Sequence, residues 1–252
     1  MPQPAPKISA ILFDLGSTLI YFDASWPQAL ERASGALVQR LLDSGLPLDG
    51  PAFLADFRAA MQAYYVERET EFIEYTTQYV LGRLLASQGY PGLPPETLRT
   101  ALDAMYAVTQ AHWQTEADCH PTLETLRRQG YRLGLISNAG DDKDVQILID
   151  KAGVRGYFEV ILTSAAQGIR KPNPRIFQAA LERLGLPPQQ AVMVGDTLGA
   201  DILGAHNAGL YSIWITRRAD TPANRAHAQT IRPHAAIASL AELPALLARL
   251  PG

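Results

Sequence analysis

Cysteine is almost absent: Cys119 is the single one in 252 residues, so no disulfide joins two parts of the chain and a reducing compartment suits it. Nothing near it in sequence resembles a thiolate-activating group, and it reads as a small filler side chain. Lysine is scarce too, limited to Lys7, Lys143, Lys151 and Lys171 among 22 basic residues, which gives weight to any lysine standing at a motif position. There is no surplus of positive charge. The net charge of -3 removes the electrostatic basis for a nucleic-acid partner. No apolar run reaches the ~18 residues of a membrane span. The proline-rich stretch 1–7 lacks the basic and apolar regions of a signal peptide. These absences predict a cytoplasmic protein, monomeric or homodimeric, with no membrane partner.

What is present is a globular composition, 47% hydrophobic and 19% charged, on a chain long enough for a core and a smaller inserted unit. Short apolar runs lie at 8–13, 132–136, 159–162, 191–194, 211–215 and 235–238. Helical patterns at 122–129, 143–151, 175–184 and 199–207 separate most of them. That alternation predicts a doubly wound parallel-sheet (Rossmann-like) α/β core with helices on both faces. A terminal helix is expected over 240–250, and loop or short helix over 219–233.

Between the first two strands of that core the chain departs for about a hundred residues without a strand pattern, too far for an ordinary connection. Leu30, Leu37, Val38, Leu41 and Leu42 share a helical face, and Phe53, Phe57, Met61 and Tyr64 recur at the same period. Phe72, Tyr75 and Tyr79 continue it, and a further pattern spans 98–113, with breaks at 45–51 and 90–95. An inserted helical cap domain over residues 21–117 is expected, with the core formed by 1–20 and 118–252 and with hinges near Phe22 and Pro121.

Parallel sheets bind ligands at the carboxyl ends of their strands. Asp14, Ser137 and Asp196 stand at such ends, and Lys171 lies in the segment after the third run. Each alone has a dull reading, as a turn or helix cap or a solvated charge. Together they are harder to dismiss, because gathered carboxylates repel one another unless a cation joins them. His112, His120, His206, His227 and His234 show no metal-ligand spacing.

Four motifs then carry a resemblance: Phe13-Asp14-Leu15-Gly16-Ser17-Thr18-Leu19, Leu135-Ile136-Ser137-Asn138, Arg170-Lys171-Pro172-Asn173-Pro174, and Val194-Gly195-Asp196-Thr197-Leu198-Gly199-Ala200-Asp201. In this order the chain resembles the haloacid dehalogenase-like hydrolases with a helical cap after the first strand. The resemblance implies a phosphatase for a small phosphorylated substrate, in which Asp14 attacks phosphorus to form an aspartyl phosphate. It implies Mg²⁺ held by the Asp14 carboxylate, the Gly16 carbonyl and the Asp196 carboxylate. Ser137, Asn138 and Lys171 are expected to bind the phosphoryl group, and Asp201 to orient Lys171 or a metal-bound water.

Phosphatases of this kind carry a second aspartate two residues after the nucleophile, as leaving-group acid and then base for the water. Here the position is Gly16. Glycine keeps the carbonyl for a metal and loses the proton donor, a contribution of roughly 10²–10⁴-fold. Asp23 is the candidate substitute. A 2-haloacid dehalogenase, which lacks that aspartate and needs no metal, and a phosphate-binding protein with lost or weak turnover are the competing expectations.

Overall fold

The computed structural model describes residues 8–250, apart from the side chain of residue 69. The stretch 1–7, with Lys7, lies outside the described residues. The chain enters through β1 (Ala10–Phe13), whose four residues are all buried. It then makes a short strand β2 (Ile20–Phe22) and four helices: α1 (Trp26–Asp43), α2 (Gly50–Glu71), α3 (Thr77–Ser87) and α4 (Pro95–Gln110). It returns through β3 (Trp113–Thr115), α5 (Cys119–Arg128) and β4 (Arg132–Ser137). Next come α6 (Asp142–Lys151), β5 (Val160–Thr163), a single turn α7 (Ser164–Gln167), α8 (Pro174–Leu184) and β6 (Ala191–Gly195). A π-helical turn at Leu198–Ile202 runs into α9 (Leu203–Ala208), followed by β7 (Tyr211–Ile215), α10 (Pro222–His227), β8 (Ala235–Ile237) and α11 (Leu243–Leu247).

Six strands form one parallel sheet in the order β5-β4-β1-β6-β7-β8. Strand alternation splits its side chains between two layers. Ile11, Phe13, Leu133, Leu135, Val192 and Val194 pack against Leu123 and Leu126 of α5, Val145 and Leu148 of α6, and Leu243 of α11. Leu12, Ile136 and Met193 face the other way, onto Ile176, Phe177 and Leu181 of α8. Each fully buried large side chain contributes about 1.5–3 kcal/mol. The chain passes from β1 outward to β4 and β5 on one side and then crosses to β6, β7 and β8 on the other, and a crevice opens at the carboxyl end of β1 where the strand order reverses.

The inserted helices have a core of their own, built from Leu37, Leu41, Phe53, Phe57, Leu81, Leu85, Ala101 and Leu102. Asp49 caps α2 by accepting from the Ala52 N–H at 3.1 Å, with Pro51 in the first turn, where its missing N–H costs nothing. Two expectations fail in this segment. It is not free of strand: β2 and β3 form an antiparallel ribbon pairing Phe22 with Trp113, because three-residue runs are too short to show alternation. Nor do Phe72, Tyr75 and Tyr79 continue a packed face. Helix α2 ends at Phe72 with φ 53°, α3 begins only at Thr77, and Tyr79 is exposed. The expected terminal helix shrinks to Leu243–Leu247 behind a 3-10 turn at Leu240–Glu242.

Candidate active site

The end of β1 delivers Asp14, and the Asp14 N–H bonds the Val194 carbonyl of β6 at 2.9 Å. Lys171 is buried beneath it and spends all three ammonium protons: on Asp14 Oδ1 at 2.6 Å, Asp201 Oδ1 at 2.6 Å and the Ile136 carbonyl at 2.8 Å. The lysine is placed by Asn138, whose Oδ1 accepts from the Lys171 N–H and whose Nδ2 donates to the Lys171 carbonyl, both at 2.9 Å. The Asn138 side chain is thus committed to positioning Lys171, a role absent from the sequence reading.

Asp196 ends β6. Its backbone carbonyl accepts from Trp214 Nε1 and Asn224 Nδ2, each at 2.8 Å, and its carboxylate accepts from Thr197 Oγ1 at 3.2 Å. Asp201, on the following turn, also accepts from the Thr197 N–H at 2.9 Å. Gly195 makes room for it, since a Cβ there would stand 2.3 Å from the Asp201 carboxyl. Asp14, Gly16, Ser137, Asn138, Lys171, Asp196 and Asp201 all line one cleft of about 820 Å³, so these seven residues named from the sequence reach a common space.

Electrostatics there are unbalanced. Burial pushes the Asp14 carboxyl up to about 6, with Lys171 opposing and Asp201 adding to the rise. Burial pushes Asp196 up to about 8, reinforced by the charges of Asp14 and Asp201. Burial works against the Lys171 ammonium, but the two adjoining carboxylates outweigh it and hold its pKa above the usual range. Asp14, Asp196 and Asp201 each place a carboxylate oxygen within 4.8 Å of the others. Three such groups around one ammonium leave a site short of positive charge. An all-oxygen donor set of this kind fits Mg²⁺, which prefers hard oxygen ligands. Both Asp201 oxygens already accept hydrogen bonds, which leaves Asp14 and Asp196 as the carboxylates suited to the ion.

Several groups escaped sequence reasoning. Trp113 lies over Gly16, its ring 3.4 Å from where a Cβ would be. Glu74, between α2 and α3, is buried, accepts from Tyr64 Oη at 2.5 Å and Ser164 Oγ at 2.7 Å, and lies 3.3 Å from Arg170 Nε. An antiparallel bridge pairs Ile73 with Ile169. The inserted helices are thereby fastened to the segment carrying Lys171. His206 and His234, which showed no relation in sequence, share the Ser212 hydroxyl at 2.9 and 2.8 Å. Asp23 fails as substitute acid: it pairs with His112 Nδ1 at 3.2 Å on the outer ribbon and does not line the cleft. Its place beyond the first motif held no clue to the direction in which the ribbon turns.

A parallel sheet with helices on both faces, carrying carboxylates and a buried lysine at its switch point, defines a hydrolase class, and comparison with known proteins agrees. The sequence pattern of haloacid dehalogenase-like hydrolases matches residues 8–209, and the chain belongs to that family. It is 33% identical to the glyceraldehyde 3-phosphate phosphatase of Methanothermobacter thermautotrophicus, over 88% of this chain and 91% of the relative. It is 37% identical to a pyrimidine 5'-nucleotidase of Escherichia coli, over 95% of this chain and 97% of that one. Among solved structures, a 2-haloacid dehalogenase from Pseudomonas syringae superposes with a TM-score of 0.66 at 27% identity, covering 96% of this chain and 99% of the other. A phosphatase of the family from Thermococcus onnurineus gives 0.64 at 26% identity, covering 95% and 98%.

Proposed function

We propose that the protein is a Mg²⁺-dependent phosphohydrolase acting on a small phosphorylated metabolite, with Asp14 as nucleophile and residues 21–117 as its cap. The observation that carries this is the buried contact of Lys171 with both Asp14 and Asp201, beside the Asp196 carboxylate. An Asp14 oxygen bonds to phosphorus as the ester P–O bond breaks, and water then releases phosphate and regenerates the carboxylate. Lys171 compensates the charge gathering on the phosphoryl oxygens, and the Ser137 hydroxyl donates to one of them. Asp14, Asp196 and the Gly16 carbonyl would hold Mg²⁺, which supplies positive charge against the substrate's anion. Relatives named for a triose phosphate and for a nucleotide share the phosphoester and differ in the rest of the substrate.

A panel of phosphometabolites with the full chain tests this. Phosphate release is expected with Mg²⁺, to be lost with a chelator and lost in Asp14→Asn. Turnover that persists in a clean Asp14→Asn preparation removes Asp14 from the role of nucleophile. Chelator-resistant chloride release from a 2-haloacid, without phosphate release, makes the protein a dehalogenase instead. Binding of BeF₃⁻ with no hydrolysis of any phosphoester makes it a phosphate-binding protein.

A further inference from the structure

An ester with a poor leaving group needs a proton at the departing oxygen, and position 16 has no side chain to supply one. The void is not simply open, because the Trp113 ring stands against Gly16 at the distance of an ordinary contact. The donor must come from another wall. Five carboxyl-bearing residues line the cleft among the described residues: Asp14, Glu31, Asp144, Asp196 and Asp201. Three belong to the Lys171 centre. Glu31 is 71% exposed and lies 3.7 Å from Arg58. Asp144 remains.

Asp144 stands on the first turn of α6, the helix that follows Ser137 and Asn138 at the carboxyl end of β4. Its N–H is held by the capping Asp141 Oδ1 at 2.9 Å. Leu148, one turn further along the same face, lines a small pocket together with Ile20 and Trp113. The Asp144 face of α6 therefore runs beside the loop of Gly16 and the ring that covers it, at the end of the helix nearer Ser137. The carboxyl accepts from Gln110 Nε2 at 2.8 Å through Oδ1, while no described residue donates to Oδ2. Burial pushes its pKa up to about 7, with the Gln110 hydrogen bond opposing, the Asp141 charge adding and Arg99 opposing. Such a carboxyl is suited to both giving and taking a proton near neutrality.

We infer that Asp144 serves the leaving oxygen in place of the carboxyl missing at Gly16. This rests on the phosphohydrolase reading. As an Asp14 oxygen bonds to phosphorus and the ester P–O bond breaks, the Asp144 proton passes to the departing oxygen and an alcohol leaves. The resulting Asp144 carboxylate takes a proton from water as the water oxygen bonds to phosphorus and the bond from phosphorus to Asp14 breaks. Inorganic phosphate leaves, Asp14 is again a carboxylate and Asp144 is again protonated.

The test compares first-turnover rates, by rapid quench with Mg²⁺, for an alkyl phosphate and for p-nitrophenyl phosphate, whose leaving phenolate requires little protonation. In Asp144→Asn the alkyl-to-aryl ratio of rates falls by about 10²-fold relative to wild type, and the aryl ester shows a burst of phenolate because the water step has lost its base. The ratio is taken within one preparation, so partial unfolding of a variant leaves it unchanged, and Asp144→Ala must give the same shift. A ratio within about threefold of wild type in both variants overturns the role of Asp144 while leaving the phosphohydrolase intact. A wild-type chain that hydrolyses neither ester with Mg²⁺ overturns both.

Discussion

Replacing Gly195 by alanine tests whether Asp201 is wedged into place behind Lys171. The new methyl carbon would stand 2.3 Å from the Asp201 carboxyl carbon and Oδ2, and 2.6 Å from its Cβ, whereas carbon atoms rest comfortably at about 3.5–4.0 Å. Relief needs a shift of roughly 1 Å in a residue that is only 1% exposed. That shift stretches the 2.6 Å bond to Lys171 Nζ past hydrogen-bonding range. Overpacking costs about 1–3 kcal/mol, and a lost hydrogen bond to a charged group about 1.5–3 kcal/mol. Together they predict a loss of roughly 2.5–6 kcal/mol, a large part of the ~5–15 kcal/mol of a typical folded domain. Urea titration followed by circular dichroism reads the shift in midpoint, and the same substitution on an Asp201→Gly background is expected to cost much less because the whole colliding side chain, Cβ included, is gone. A cost below about 1 kcal/mol in the wild-type background, or an equal cost in both, refutes the wedge.

Glu74→Ala removes a buried acceptor shared by Tyr64 and Ser164 and the anion beside Arg170; a loss of about 3–5 kcal/mol is expected, read by the same titration, and a loss under about 1 kcal/mol counts against the fastening of the inserted helices to the core. Gly16→Ala is expected to leave stability within about 0.5 kcal/mol of wild type, since its Cβ meets Trp113 only at 3.4 Å; a thermal melt checks it, and a large drop would show that the ring cannot yield. His206 has its pKa lowered from 6.5 by burial and by the neighbouring His234. A group whose folded pKa lies below its unfolded one favours the unfolded chain as that chain gains the proton first. Stability is therefore expected to be unaffected by this residue above pH 6.5 and to fall below it. Urea midpoints across that range should show a shallower fall in His206→Gln, and identical curves would refute it.

The six strands of the parallel sheet and the residues at their ends were legible in the chain itself, whereas the short β2 and β3 were not. Short continuous apolar runs and the Gly and Pro residues between them are local signals, and Asp14, Ser137, Lys171 and Asp196 each follow such a run or its loop. The resemblance of the first motif to the family's also revealed the absence of a carboxyl at Gly16. Tertiary structure alone decided what surrounds that absence. Trp113 reaches Gly16 only because a ribbon of two three-residue strands folds the return of the insertion back across its departure. Asn138 is expected from the resemblance to bind the phosphoryl group, but its side chain binds the backbone of Lys171, and Asp144, which no sequence signal singled out, lines the cleft. Contacts between segments distant along the chain leave no mark on the composition or periodicity of either segment. Nearest neighbours therefore determined the scaffold, and the packing of the inserted helices onto the sheet determined which side chains look into the cleft.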